Sequence, residues 1–312
     1  MMVVMMLCRT IRPMVVRICL QNSLFANKQV NFYHIGTPVV PSFYGSLSTS
    51  LIMGLLNNIL GKKIMQRWFE RLHNLSLKGM NYGRAADYKH NGESAVLKEL
   101  RHRVISSTAV LFDVGANQGV FSRHLLESWQ GMNYHLYVFE PSKNTFSLLV
   151  NSLPERSYVH LINKGLGAKE ETTELYFDKA GSALASLYPR DLSHHGIDFS
   201  EHETISLTTL DLFCSKERIM AIDFLKLDVE GHELAVLEGG KKMFEEGRVR
   251  IVQFEFGGCN IDSRTFFRDY YNFFARDFDL FRILSNGLQP IEKYSEKLEI
   301  FQSANYLAIK KV

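Results

Sequence analysis

A short apolar run that ends in an acid and a glycine-bearing turn, residues 110–119 (VLFDVGANQG), constrains the fold of this chain more than any other segment. A helix-forming segment follows, from Val120 to Trp129. In nucleotide-binding α/β folds a buried parallel strand passes into a helix in this way, and the glycines let a ligand approach the backbone. The start of the helix offers unpaired N–H groups to polar or anionic ligand atoms. The turn therefore predicts a ligand site at the end of this strand.

A second apolar segment, 135–139, strengthens this interpretation because it ends in Glu140 and Pro141. Glu140 lies 25 residues beyond Gly115. A carboxylate at the end of the neighbouring strand can accept hydrogen bonds from both hydroxyls of a ribose. Together the two segments predict a site for a ribose-containing cofactor.

Strands and helices alternate through the rest of the chain, which predicts an α/β fold with a parallel sheet. We expect strands near 109–113, 135–139, 157–162, 222–228, 250–256, 280–284 and 304–310. We expect helices near 94–103, 119–129, 142–152, 209–216, 232–244 and 263–276. The last two strands have no clear helix between them, and can therefore pair antiparallel. Two further strands, 174–177 and 204–207, flank a polar loop at 179–202.

The sequence predicts three parts of the chain: an unassigned extension at 1–50, either disordered or an over-extended start, a helical segment at 51–105, and an α/β domain at 106–312. Residues 1–69 contain no Asp or Glu, and no apolar run there reaches the length of a membrane span. For residues 1–50 we favour an over-extended start over an organelle presequence, and predict that they are dispensable for folding.

Helical spacing is clear in residues 51–75, where the apolar side chains recur every three or four residues. They are Leu56, Leu60, Ile64, Trp68, Leu72 and Leu75. We expect this stripe to pack on the α/β domain. The alternative is a weak peripheral contact with a membrane, because Lys63, Arg67 and Arg71 line an adjacent stripe.

The composition restricts the classes of ligand and partner that the chain is expected to bind. Residues 70–312 carry 29 Lys and Arg against 33 Asp and Glu, and this acidic balance argues against nucleic acid. The four cysteines are scattered, and the pair His194 and His195 has no nearby Cys, so we expect no metal centre. We expect a cytoplasmic protein, with organellar or membrane-peripheral locations as alternatives, and the oligomeric state stays open.

A dense acidic cluster follows the strand at 222–228, in the segment LKLDVEGHE. It places Asp228, Glu230, His232 and Glu233 within six residues at the start of a helix. Acids stabilise a helix N-terminus by about 0.3–1 kcal/mol each, so helix capping explains part of the cluster. Capping does not require four ionisable groups, one of them a histidine. We therefore expect a functional role for at least one of them.

These motifs, taken in order, resemble the FkbM-type family of S-adenosylmethionine-dependent methyltransferases. The matching segments are DVGANQG, FEP, LKLDVEGHE and FEF. The resemblance implies a class I methyltransferase (Rossmann-like) fold, with a seven-stranded, mostly parallel sheet whose last strand is antiparallel. It also implies O-methylation of a hydroxyl on a sugar, a glycan or a small natural product.

Carried onto this chain, the resemblance places the cofactor at six residues: Asp113, Gly115, Asn117, Gly119, Glu140 and Asp228. Asp228 would face both the methionine end of the cofactor and the acceptor. The candidate catalytic residues are Asp228, His232 and Glu230, and the residues leave Asp228 and His232 nearly equal as the base that takes the acceptor proton. Glu230 and Glu233 are better suited to orienting or capping.

Three alternatives stay open. A divalent metal held by the acids is one, because oxygen ligands suit Mg²⁺. An NAD-dependent oxidoreductase is another, although the turn lacks the third glycine of its fingerprint. The third is a methyltransferase-like binding protein without activity, although every motif is intact. The sequence does not identify the methyl acceptor.

Overall fold

The computed structural model describes residues 59–84, 90–104 and 106–311. The chain divides into two compact units, 1–62 and 63–312. Nearly all described residues lie in the second unit, which contains every helix and strand given below. The predicted extension at 1–50 lies outside the described residues, so its dispensability and the predicted domain boundaries stay predictions.

The second unit is built on an eight-stranded sheet in the order β10-β9-β11-β8-β7-β1-β2-β3. Its strands are β1 Ala109–Val114, β2 Tyr134–Phe139, β3 Val159–Ile162, β7 Ile222–Leu227, β8 Val249–Phe256, β9 Phe278–Leu284, β10 Gly287–Pro290 and β11 Ala304–Lys310. The neighbours from β3 to β8 pair in parallel, while β11 runs antiparallel to both β8 and β9. The antiparallel last strand is confirmed.

The predicted strand count is one too low, because β10 adds an eighth strand at the edge. It forms an antiparallel hairpin with β9 around the turn after Leu284. Its four residues show no apolar alternation and lie within the connection that we expected to be polar and irregular. A short, mostly exposed edge strand buries too little to leave a pattern in the sequence.

Helices cover both faces of the sheet. They are α1 Gln66–Gly79, α2 Glu93–Arg103, α3 Val120–Ser128, α4 Lys143–Ser152, α5 Leu210–Lys216, α6 Glu233–Gly239, α7 Lys241–Glu245, α8 Cys259–Ser263 and α9 Phe267–Phe274. One buried core includes α2, α3 and α4, and a second includes α5, α6, α7 and α9. Alternate strand residues such as Leu111 and Phe112 enter opposite cores, which explains why the strands are apolar throughout.

Two predicted helices are interrupted in the structure. The helix expected over 232–244 is divided into α6 and α7 at Gly239 and Gly240. A Cβ at Gly239 would lie 2.0 Å from the carbonyl oxygen of Gly167, so the break lets two backbones come into close contact. The helix expected over 263–276 begins only at Phe267, after the separate turn of α8.

A second, three-stranded sheet lies between β3 and α5 in the chain. It contains β4 Gly165–Leu166, β5 Glu171–Phe177 and β6 Glu201–Thr208, in the order β4-β6-β5. The antiparallel pair β5–β6 confirms the two strands predicted around the polar loop, while the two-residue β4 was not predicted. The residues between β5 and β6, 178–200, are called the insertion loop here.

Helix α1 differs most from its prediction. A 3-10 turn, Lys63–Met65, precedes it, so the helix begins later than expected, and the predicted start at 51–58 lies outside the described residues. Its apolar stripe is exposed: Ile64 by 90%, Leu75 by 67% and Leu72 by 43%. Trp68 is half-buried, and Leu56 lies outside the described residues. For Ile64, Leu72 and Leu75 the expectation that the stripe packs on the domain is therefore wrong. Among the described residues, none of the helices has the length and apolar character needed to cross a membrane.

Candidate active site

The glycine turn after β1 forms the floor of the site. Gly115 has φ +80°, and a Cβ there would lie 1.9 Å from the carbonyl oxygen of Asp228, so only glycine lets the ends of β1 and β7 approach so closely. The N–H groups of Gly115 and Ala116 both donate to Phe139, at 3.0 and 2.9 Å. Hence the turn is held against the ends of both neighbouring strands.

Glu140 joins the second strand end to this turn. One carboxylate oxygen accepts the N–H of Asn117 at 2.9 Å, and the other accepts the N–H of Ser142 at 3.0 Å. Burial raises the pKa of Glu140 to about 7, although these two hydrogen bonds oppose the rise. The carboxylate lines the main cavity, where its remaining lone pairs can accept hydroxyl donors.

That cavity has a volume of about 400 Å³ and opens at the carboxyl ends of β1, β2, β7 and β8. This is where ligands bind in α/β sheets, and the size is that of a small-molecule site. Of the predicted residues, the cavity is lined by Gly115, Asn117, Glu140, Asp228, Glu230 and His232. Its opposite wall is apolar and comes from the small sheet, with Leu166, Leu175 and Leu207.

Two predicted cofactor residues lie outside this lining. Asp113 is fully buried, where its carboxylate accepts the Ser122 hydroxyl at 2.6 Å and lies 3.8 Å from the Lys226 ammonium. Gly119 caps α3 with φ +76°, and a Cβ there would lie 2.7 Å from Leu149. The structure gives both residues supporting contacts: Asp113 holds α3 on the sheet, and Gly119 lets α3 pack against α4. Their contact with the cofactor stays a prediction.

Asp228 is the most open carboxylate of the cluster, with 38% of its side chain exposed. Its Oδ2 accepts the Lys226 ammonium at 2.9 Å. Burial alone would lower the pKa of Lys226, but the carboxylates of Asp228, Asp113 and Glu93 outweigh it and raise that pKa. Lys226 therefore stays charged and fixes Asp228 at the edge of the cavity.

The other two acids of the cluster are engaged by protein groups. Glu233 is buried and its Oε1 accepts the N–H of Val229 at 2.9 Å and of Gly231 at 3.3 Å, which is the expected capping role. Glu230 has φ +50° and forms an ion pair with Arg190 at 2.8 Å. Burial raises the pKa of Glu230, followed by the charge of Asp228, and the Arg190 guanidinium opposes this.

His232 lines the cavity, but its ring nitrogens face the surrounding protein. Nδ1 lies 3.0 Å from the Tyr188 hydroxyl, and Nε2 lies close to Gly167, where an added Cβ would be 2.9 Å away. Burial lowers the pKa of His232 to about 4. The imidazole is therefore neutral at pH 7, and the proton it would accept is weakly held.

The sequence analysis did not single out four residues that the structure places in the site. They are Lys226, Tyr188, Arg190 and Glu255. Arg190 and Tyr188 lie in the insertion loop, about forty residues before their partners, and no local pattern connects them. Lys226 is a lysine inside an apolar strand, and that contrast was a usable signal. Glu255 stood within the FEF motif, between two buried phenylalanines, and was not singled out.

Glu255 occupies the end of β8 and lines the cavity beside Asp228 and Glu230. Burial raises the pKa of Glu255, and the charges of Asp228 and Glu230 add to the rise. Within the described residues, no side-chain hydrogen bond or ion pair engages its carboxyl group. This distinguishes it from Glu140, Asp228 and Glu230, each of which has a protein partner. Glu255 is therefore available to a ligand.

The part of the chain that the structure describes contains no evident metal site. Within the described residues, no group of three or more His, Cys, Asp and Glu side chains is arranged to hold an ion. Two of the acids at the cavity, Asp228 and Glu230, are instead paired with Lys226 and Arg190.

Comparison with solved structures finds several methyltransferases that are distantly similar to this chain. A crystal structure of methyltransferase FkbM from Methylobacillus flagellatus is 16% identical, covering 65% of this chain and 44% of that chain, with a TM-score of 0.40. Aeropyrum pernix fibrillarin with natively bound S-adenosyl-L-methionine is 12% identical. The match covers 69% of this chain and 74% of that chain, with a TM-score of 0.35. The plantazolicin methyltransferase BpumL, in complex with SAH, is 8% identical. The match covers 82% of this chain and 94% of that chain, with a TM-score of 0.36.

This chain therefore spans less than half of the Methylobacillus protein. No curated protein matches it in sequence. The assignment rests on a family model and not on these distant similarities. The model of the methyltransferase FkbM domain matches residues 113–281, from the glycine turn to β9.

That match confirms the predicted cofactor class, S-adenosylmethionine, and it favours methyl transfer over the oxidoreductase alternative. It contains Glu140, the cluster at 228–233 and Glu255, so the cavity lies almost wholly within the matched residues. Since the match covers more than half of the chain, this protein belongs to the FkbM family of S-adenosylmethionine-dependent methyltransferases.

Proposed function

We propose that this protein transfers a methyl group to a hydroxyl of an uncharged, polyhydroxylated acceptor, such as a sugar, a glycan or a small natural product. The observation that carries the proposal is the chemical division of the cavity. Glu140, which follows β2, lies on one side of the glycine turn, and the carboxyl groups of Asp228, Glu230 and Glu255, from β7 and β8, lie on the other side. The two sides suit two different ligands that meet between them.

The cofactor side fits S-adenosylmethionine by its donor set. Glu140 would accept the ribose hydroxyls, the open backbone at Gly115 and Asn117 would lie along the methionine part, and the apolar wall at Leu166 and Leu207 would cover the adenine. The cofactor supplies a methyl group bound to a sulfonium, ready for transfer to a nucleophile. Holding the two reactants in line can supply roughly 7–11 kcal/mol of the barrier reduction.

The acceptor side is rich in hydrogen-bond acceptors that match hydroxyl donors. Carboxylates there accept O–H groups and repel phosphate or carboxylate acceptors. The one cationic side chain lining the cavity, among the described residues, is Arg190, and it is already paired with Glu230 and Asp262. This charge pattern favours a neutral acceptor over an anionic one.

Forming the O–CH₃ bond requires the hydroxyl proton to leave, and we assign its removal to Asp228. Asp228 is exposed to the cavity and is oriented by Lys226, whereas the nitrogens of His232 face Tyr188 and Gly167. Glu255 is the alternative base. A base placed at this position typically contributes about 10²–10⁴-fold in rate.

The proposal is tested by incubating the full chain with S-adenosylmethionine and a panel of acceptors, with mass spectrometry to detect a gain of one methyl group. The panel should contain monosaccharides, glycosides, sugar phosphates and amines of similar size. We expect O-methylation of neutral sugars or glycosides. Methylation of the amines alone would contradict the proposal, and S-adenosylhomocysteine binding without turnover on any class would favour an inactive binding protein.

Removing the Glu140 carboxylate should weaken the cofactor complex. Glu140→Ala deletes both the proposed ribose acceptor and the anchor of the Asn117 N–H. We expect the dissociation constant of S-adenosylhomocysteine, measured by calorimetry, to rise at least about tenfold, since hydrogen bonds to charged groups are worth about 1.5–3 kcal/mol. Glu203→Ala is the control, because Glu203 is a nearby half-buried acid that does not line the main cavity. Equal affinities for the two variants would contradict the assignment.

Cofactor affinity should also depend on pH through Glu140. Its pKa is raised to about 7, so the carboxyl group is largely protonated below that pH and then accepts hydroxyl donors poorly. We expect S-adenosylhomocysteine affinity to increase from pH 6 to pH 8, with a slope of at most about tenfold per pH unit. In Glu140→Gln this step should disappear. An unchanged pH profile in that variant would assign the titration to another group.

A further inference from the structure

Helix α1 carries a surface that the catalytic site does not use. Four apolar side chains, Ile64 in the preceding 3-10 turn and Trp68, Leu72 and Leu75 in α1, follow each other at intervals of three or four residues and so form one stripe. Ile64 is 90% exposed and Leu75 is 67% exposed, although large apolar side chains are normally buried. This set is called the α1 stripe here.

The opposite face of α1 is attached to the domain. Leu77 is buried in the core, and the residues after the helix fix its end: the Asn81 side chain donates to Ile283 at 3.0 Å, and the buried Tyr82 ring lies under Arg282. Packing through Leu77 turns the α1 stripe outward. The exposure of the stripe is thus a consequence of how the helix is anchored.

Basic side chains accompany the stripe on one flank. Between Lys63 and Gly79 there are four Lys and Arg residues and one acid, Glu70. Arg67 and Arg71 directly precede Trp68 and Leu72, which places them beside the stripe at 100° per residue, and both are exposed. Lys78 lies on the same flank and is also exposed.

We propose that helix α1 is an interfacial membrane helix that binds the surface of a bilayer containing anionic phospholipids. The apolar stripe would enter the boundary between headgroups and acyl chains, while the basic flank would contact phosphate and carboxylate headgroups. Trp68 is suited to this depth, since its ring has an apolar body and a polar N–H. The helix lies on the bilayer and does not span it.

Charge complementarity selects lipid over a second copy of this chain. Two α1 helices packed through their stripes would bring two basic flanks close together, with only Glu70 on each to compensate, and like charges at such an interface repel. An anionic bilayer offers the opposite sign along the whole flank. Each basic residue near such a surface strengthens binding, and the attraction falls with added salt.

The test is co-sedimentation of the full chain with vesicles of phosphatidylcholine alone and with added phosphatidylserine. We expect binding to the mixed vesicles, weakened by salt. The double variant Ile64→Ser/Leu75→Ser should bind at least about tenfold more weakly, since each removes a large apolar side chain from the bilayer. The double variant Arg67→Glu/Arg71→Glu should lose at least about tenfold on mixed vesicles and little on phosphatidylcholine.

Matched controls change the same residue types on other surfaces. Met220→Ser removes an apolar side chain that is 73% exposed, and Lys241→Glu/Lys242→Glu reverses two exposed charges. These variants should bind vesicles like the unaltered chain, and all variants should keep S-adenosylhomocysteine affinity as a check on folding.

Vesicle binding that survives in both α1 variants would overturn the proposal, as would no binding to either vesicle type. A change of oligomeric state in the stripe variant, without an effect on vesicles, would assign the stripe to a protein interface and also overturn it.

Discussion

Replacing Asp228 by Asn is expected to lower methyl-transfer turnover by about 10²–10⁴-fold, while S-adenosylhomocysteine affinity changes little. The amide keeps the size of the side chain and can still accept a hydrogen bond from Lys226, but it cannot take the acceptor proton. Single-turnover rates with saturating cofactor separate the chemical step from binding. Calorimetry on the same preparation measures cofactor affinity.

His232→Ala and Glu255→Gln complete this comparison. Because His232 is neutral and faces Tyr188, its loss should lower turnover far less than Asp228→Asn does. If Glu255→Gln produces the larger fall, Glu255 is the base and Asp228 orients the acceptor. Near-normal turnover in both acid variants would make the cluster a structural cap. Loss of cofactor affinity in Asp228→Asn would make Asp228 a ligand of the methionine part, and His232 the better candidate base.

Replacing Lys226 by Met is expected to lower the free energy of unfolding by about 3–5 kcal/mol, because it leaves the Asp113 carboxylate buried without a charge partner. Asp113 is fully buried, and the Lys226 ammonium lies 3.8 Å from it. Urea unfolding monitored by fluorescence measures this change. The matched control is Lys216→Met, which removes a surface ion pair with Glu170 and should cost about 0–1 kcal/mol.

The same pair predicts a pH dependence with a definite sign. Burial raises the pKa of Asp113 and Lys226 opposes that rise, so Lys226→Met should raise the pKa further. An acid whose folded pKa is raised contributes stability at low pH and loses it as pH rises through that value. The decrease in the free energy of unfolding caused by Lys226→Met should therefore be larger at pH 8 than at pH 5. The double variant Asp113→Asn/Lys226→Met should recover part of the loss, and no recovery would contradict the pairing.

Much of the fold could be predicted because parallel strands buried on both faces are apolar throughout. The strands β1, β2, β7 and β8 fall within one or two residues of their expected positions, and the antiparallel last strand follows from the missing helix before it. The errors concern elements that bury little, such as β10, or that break for a tertiary reason. At Gly239 the break is dictated by the Gly167 backbone, which lies far away in sequence.

The candidate site was only partly predictable, since the position of an acid in the chain does not determine its partners. Asp113 and Asp228 both end apolar strands, yet one is buried under the turn and the other opens to the cavity. The order of the strands decides this, because Lys226 on β7 lies between the two carboxylates. A histidine in water has a pKa suited to a general base, but burial beside Tyr188 lowers the pKa of His232 to about 4.

By itself the sequence determined the strand-turn-helix at Gly115, the acid at Glu140, and hence the fold class and a site for a ribose-containing ligand, because glycine geometry and apolar periodicity act locally along the chain. The cofactor itself was predicted from the resemblance of the motifs to a known family. Only the tertiary structure decided which carboxyl groups face the ligand, that Arg190 and Tyr188 reach the cluster from the insertion loop, and that the α1 stripe points outward. The physical reason is that desolvation and pairing of charges depend on neighbours distant in sequence, and that the buried face of a helix is set by its anchors. In α1, that anchor is Leu77, on the face opposite the stripe.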